Sequence, residues 1–216
     1  MRKLYIGGAI MAGLVGLAGA ASADAITPSP TIVSGDLTFN NFSCSVSAGA
    51  SLACANISVS EHTSAPPDAT TGDSGIRIQG AFNAGTTSED VIITYTATAS
   101  GGQLFHDASM YFNGTVTSSI SEDIFIHGTS IKIGHLEVSN PPANNFNDDI
   151  LLSQDVASID VVKDIGLNYT TYSAATISIV DQNFSQTYVP EPTSLMLLAS
   201  GLIGLGWVGG RRRQAV

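Results

Sequence analysis

Ser74 lies in the run Gly72-Asp73-Ser74-Gly75, and a serine presented on a glycine-rich turn is a residue that can act as a nucleophile. Such chemistry needs a base within hydrogen-bond reach and a third group to orient that base. His62 is the one histidine that precedes Ser74, and it belongs to the same proline-containing segment, so a turn opening the next strand explains the four residues without catalysis. His106, His127 and His135 are scattered and show no H-E-x-x-H spacing. Glu122-Asp123 and Asp148-Asp149 are adjacent carboxylates. Glycoside hydrolysis needs two carboxylates facing each other across a substrate, whereas neighbours on a strand point to opposite faces. Asn144, Asn145, Asn147, Asp148 and Asp149 crowd oxygen donors into one stretch. Calcium accepts such ligands, although the spacing is not that of an EF-hand and the same residues serve ordinary turns. Calcium at Asn145, Asn147, Asp148 and Asp149 is therefore the single candidate cofactor, no catalytic residue is expected, and the chain reads as a non-enzyme.

The elements that would carry these residues are strands. Between its two ends the chain is rich in Ser, Thr, Gly, Asn and β-branched residues, so helices have little to grow from. Val91, Ile93, Tyr95, Ala97 and Ala99 alternate with Ile92, Thr94, Thr96 and Thr98, a period of two with one apolar face. Comparable runs fall at 35–42, 52–59, 76–82, 109–116, 124–126, 131–138, 158–165, 167–172, 176–180 and 184–188. Asn83-Ala84-Gly85, Gly101-Gly102, His127-Gly128 and Asn140-Pro141-Pro142 separate them as turns. Segments 61–75 and 140–149 read as surface loops. Many short strands without helical crossovers predict an all-β fold, an antiparallel β-sandwich of jelly-roll-like kind.

The ends differ from this middle. Arg2 and Lys3 precede an apolar run to Ala20 and then Ala21-Ser22-Ala23, the layout of a signal helix cleaved by signal peptidase after Ala23. At the other end Pro190-Glu191-Pro192 precedes an apolar stretch at 195–210 and then Arg211-Arg212-Arg213. About 16 residues make a helix of about 24 Å, short against a hydrocarbon core of roughly 30 Å. Such a segment anchors weakly. The arginines hold the C-terminus on the cytoplasmic side. The expected organisation is thus a signal peptide over 1–23, an exported domain over 24–189 and a tail over 190–216. In the exported part Cys44 and Cys54 are the only cysteines, and in an oxidising compartment the pair reads as one disulfide, joining two neighbouring strands. A metal site is the weaker reading, because no further cysteine is present. Residues 24–189 carry three basic residues against seventeen acidic ones, a net charge of about −14. That charge repels phosphate backbones and argues against nucleic acid as a partner.

Pro-Glu-Pro, a short membrane helix and a closing arginine cluster, in that order, resemble the PEP-CTERM sorting signal of Gram-negative bacteria. The resemblance implies that Pro190, Glu191 and Pro192 are recognised by an exosortase. It further implies that the segment up to Gly210 is a transient inner-membrane anchor, that Arg211, Arg212 and Arg213 stop transfer, and that the product reaches the cell surface or extracellular matrix. The phrases Val161-Val162-Lys163-Asp164-Ile165 and Ser178 to Gln186 are similar to phrases of one group of proteins so sorted, and they read as strand residues. The expected role is non-enzymatic, structural or interacting. The alternative is a carbohydrate-binding module for extracellular polysaccharide, set against the fact that the one tryptophan, Trp207, lies in the tail.

Overall fold

The computed structural model describes residues 24–47, 52–63, 74–84, 87–115, 117–140, 145–170, 173–188 and 200. The signal peptide with Ala21 and Ala23, Gly72-Asp73, Asn144, the Pro190-Glu191-Pro192 motif, the apolar segment at 195–210 apart from Ser200, and Arg211 to Arg213 lie outside these residues. Among the described residues, no helix is long and apolar enough to cross a membrane.

The described chain is built from antiparallel strands: β1 (Asp24–Ala25), β2 (Ile32–Ser34), β3 (Leu37–Val46), β4 (Ser58–Thr63), β5 (Ser74–Asn83), β6 (Glu89–Ala99), β7 (Gln103–Phe112), β8 (Ser118–Ile126), β9 (Lys132–Asn140), β10 (Asn147–Val156), β11 (Ser158–Leu167), β12 (Tyr169–Thr170), β13 (Ser173–Ala174) and β14 (Thr176–Tyr188). They form two six-stranded sheets. One has the order β1-β4-β5-β14-β7-β10 and the other β2-β3-β6-β11-β8-β9, while β12 and β13 make a separate hairpin. The predicted antiparallel sandwich is the fold of the protein.

Alternation along the central strands explains the layering. In β6, Val91, Ile93, Tyr95 and Ala97 are buried while Ile92 lies 41% exposed, so one face of the strand meets the opposite sheet and the other meets water. Strands β11, β14 and β7 contribute Ile159, Val161 and Ile165, then Val180 and Phe184, then Phe105, Met110 and Phe112 to the same core. Aromatic rings connect the layers: Phe184 lies 5.3 Å from Phe105 in a T-shaped contact and 6.1 Å from Phe39, and Phe39 lies 6.1 Å from Tyr95. Gly101 and Gly102 carry the chain from β6 in one sheet to β7 in the other with φ of +66° and +75°, a conformation that favours glycine.

Several expected boundaries move. Segment 140–149 is not a loop throughout, because β9 runs to Asn140 and β10 begins at Asn147, placing Asp148 and Asp149 on a strand. Glu61 and His62 belong to β4, and Ser74 and Gly75 to β5. The expected pair of strands at 176–180 and 184–188 is the single strand β14. Residues 54–56 form a 3₁₀ turn rather than strand. The Cys44–Cys54 disulfide is present, with Cα atoms 5.8 Å apart. It does not join two neighbouring strands: it ties β3 to that 3₁₀ turn, in the connection by which the chain leaves one sheet for β4 in the other.

Candidate functional site

The outward face of the β1-β4-β5-β14-β7-β10 sheet gathers polar groups that the sequence keeps far apart. Ile76 and Ile78 point into the core, so Arg77 between them points out; Asp181 lies between the buried Val180 and Gln182, and Tyr111 between the buried Met110 and Phe112. Register sets Ser60 opposite Arg77, Arg77 opposite Asp181, Asp181 opposite Tyr111 and Tyr111 opposite Asn147. Five residues from β4, β5, β14, β7 and β10 therefore stand in one row. At about 4.8 Å per strand the row spans roughly 19 Å.

Its centre is fixed by a two-pronged ion pair. Arg77 Nε donates to Asp181 Oδ1 at 2.6 Å and Nη2 donates to Oδ2 at 2.8 Å. Asp181 is 5% exposed, and His62 Nε2 approaches its Oδ2 at 3.7 Å. The hydrogen bond to Asp181 raises the Arg77 pKa against the opposing effect of burial. Burial lowers the His62 pKa, with Asp181 opposing and Arg77 assisting, so the imidazole is uncharged at neutral pH. Tyr111 is 46% exposed beside this pair. The row thus sets a bidentate Arg77–Asp181 pair, whose guanidinium keeps further N–H groups, beside the exposed Tyr111 ring on the outward face of the sheet.

The other sequence candidates fall elsewhere. Ser74 is 8% exposed at the start of β5 and pairs in register with Thr63 and Phe184. Each remaining histidine has an aspartate: His106 Nδ1 lies 2.9 Å from Asp155, His127 Nδ1 2.8 Å from Asp160 and His135 Nδ1 2.7 Å from Asp123. Asp160 also accepts from the Gly128 N–H at 2.8 Å and from the Thr96 hydroxyl at 2.9 Å. Burial pushes its pKa up, and these partners together outweigh burial and hold it below the ordinary value. Glu122 and Asp123 do point to opposite faces, Glu122 into the core and Asp123 outward to Lys132 and His135.

Of the calcium candidates, Asn147, Asp148 and Asp149 lie on β10 and Asn145 precedes it. Asp148 Oδ2 accepts the Glu137 backbone N–H at 2.8 Å, and Asn145 makes a two-way backbone bridge with Ser139. Asn147 and Asp149 project to the face opposite Asp148. Among the described residues no group of three or more His, Cys, Asp or Glu could hold a metal ion.

Nothing in the sequence singles out Arg77, Asp181 and Tyr111, because only strand register assembles them. The core also holds a polar group. Lys163, Glu122 and Gln182 are each 0% exposed, at inward positions of β11, β8 and β14.

Residues 189–213 match the PEP-CTERM protein-sorting motif, which follows directly on the last strand. No curated protein sequence matches the chain. Among solved structures, TmCBM61 in complex with β-1,4-galactotriose is 12% identical with a TM-score of 0.38, covering 66% of this chain and 87% of that one. The enzymatically active domain of tailspike protein 4 of bacteriophage CBA120 is 9% identical with a TM-score of 0.34, covering 67% of this chain and 19% of that one.

Proposed function

We propose that this chain, which carries a PEP-CTERM protein-sorting motif at 189–213, is a non-enzymatic protein of the bacterial cell surface or extracellular matrix, delivered there by its tail. The motif's position carries the reading. It begins immediately after β14, so the β-sandwich is complete before the recognition strip starts, and an exosortase can act on the tail without unfolding the domain. Pro190 and Pro192 cannot donate backbone hydrogen bonds and bias the residues before them to extended conformations, which suits a peptide that must enter an enzyme's cleft. The short apolar segment then holds the chain in the inner membrane until processing, with Arg211, Arg212 and Arg213 retained in the cytoplasm. Mass spectrometry of the surface-associated protein tests this at both ends. The mature chain is expected to begin at Asp24 and to lack the three arginines; material that keeps them would contradict processing.

A second reading concerns what the domain does once outside. The Ser60-Arg77-Asp181-Tyr111-Asn147 row favours contact with extracellular polysaccharide, the Tyr111 ring covering a sugar face while the Arg77-Asp181 pair meets hydroxyls. Binding should be measured on polysaccharide prepared from the producing bacterium, with and without calcium. Tyr111→Ala is expected to weaken binding about tenfold, or about 1.4 kcal/mol. Unchanged affinity in that variant would remove the face as the site, and no binding in either condition would remove the reading.

A further inference from the structure

A lysine, a carboxylic acid and a carboxamide meet in the dry centre of the sandwich. Lys163 of β11 stands opposite Glu122 of β8 in the ladder, and its ammonium is ion-paired with the Glu122 carboxylate. Across the core, Lys163 Nζ lies 2.9 Å from Gln182 Oε1 of β14 and 3.0 Å from Met110 Sδ of β7. Glu122 Oε1, Gln182 Nε2 and the Tyr95 hydroxyl have no hydrogen-bond partner, and Tyr95 is near enough for the Glu122 charge to act on it.

As a resting ion pair this arrangement is costly. Desolvating two charges is repaid only where the remaining lone pairs and protons are satisfied, and here several are not. Burial drives the Lys163 pKa down and the Glu122 pKa up, each against the attraction of the other. Both shifts favour a neutral amine beside a neutral carboxylic acid. A neutral amine is a nucleophile, the carbonyl oxygen of the Gln182 amide lies 2.9 Å from it, and a carboxyl group in contact with the amine can both accept and donate a proton.

We propose that Lys163 becomes joined to Gln182 by an amide bond formed within the folded chain, with Glu122 carrying the proton. The Nζ lone pair attacks Cδ of Gln182 and a C–N bond forms. Nζ gives a proton to Glu122, Glu122 delivers a proton to Nε2, the Cδ–Nε2 bond breaks and ammonia leaves. A primary amine and a primary amide become one secondary amide and ammonia, with no oxidant or other reactant required. Glu122 touches the attacking atom and is the catalytic residue. The product removes the buried ammonium and the unpaired amide nitrogen together. It also bolts one sheet to the other, since β11 and β14 are interior strands of different sheets, a useful property for a domain working outside the cell.

Peptide mapping of the purified full chain decides the matter. Trypsin cuts after Lys and Arg, and between Arg77 and the tail arginines the sequence offers only Lys132 and Lys163. The bonded chain is expected to resist cleavage at Lys163 and to yield one peptide spanning 133–211, or its processed form. That peptide should be lighter by one ammonia, and tandem fragmentation should join Lys163 to Gln182. Glu122→Gln should leave both residues unmodified, and Glu122→Asp, which keeps a carboxyl group, should restore part of the bond. Free Lys163 and Gln182 in the wild-type chain would overturn the proposal. A peptide lighter by one water, joining Lys163 to Glu122, would overturn Gln182 as acceptor, and equal bonding in the Glu122→Gln variant would overturn the role of Glu122. The wild-type map stands by itself should a variant fail to fold.

Discussion

Replacing Phe184 with alanine is expected to cost the domain about 3–5 kcal/mol, a large part of the 5–15 kcal/mol that typically holds a domain folded. Phe184 is fully buried and bridges the layers, touching Phe105 in its own sheet and Phe39 in the other. Truncation removes the transfer free energy of the ring and leaves a cavity that two hydrogen-bonded sheets cannot collapse to fill. Phe184→Leu keeps most of the volume and should cost under about 1.5 kcal/mol. Urea denaturation followed by fluorescence or circular dichroism reads the difference as a shift of midpoint at constant slope. An alanine variant within about 1 kcal/mol of the wild type would mean that the sheets do not pack through this ring.

Much of the architecture was legible because the buried strands alternate cleanly. The run from Val91 to Ala99 has a strict period of two, and the structure buries its odd-numbered face. β10 escaped notice for the opposite reason. It is an edge strand beside β7, and in Asn147–Val156 only Leu152 is buried, so no apolar period marks it and its Asn-Asp-Asp opening imitates a turn. Asp181, Gln182 and Asn183 interrupt the apolar residues of β14, so its sequence has the pattern of two strands. In the structure all three are buried, with Asp181 paired to Arg77 and Gln182 Oε1 accepting from Lys163.

The polar core was half legible. Ile159, Val161, Lys163, Ile165 and Leu167 form one alternating face, as do Ile120, Glu122 and Ile124, so period alone places Lys163 and Glu122 inside. That Gln182 meets them could not be read, because it depends on how two sheets lie against each other. The same holds for the outer row: Arg77 and Asp181 are 104 positions apart, and only the β5-β14 register brings them together. The two cysteines suffice to pair Cys44 with Cys54, whereas the neighbours of the bridge depend on a 3₁₀ turn within a run of strand-like composition.

The tail is the part of the chain whose removal should change most while disturbing the fold least, since residues 190–216 follow the last strand of the sandwich. The apolar run at 195–210 would span about 24 Å if helical, against roughly 30 Å of hydrocarbon, and the proposed sorting therefore places lasting retention in processing at the motif. The most direct measurement is fractionation of the producing bacterium after deletion of residues 190–216, following the protein through cytosol, inner membrane, cell surface and medium. The sorting account predicts that the surface-associated fraction disappears, and that the domain is still exported, folded and soluble in the periplasm or medium. An unchanged distribution between wild type and deletion, or full-length wild-type protein found intact in the cytosol, would contradict it.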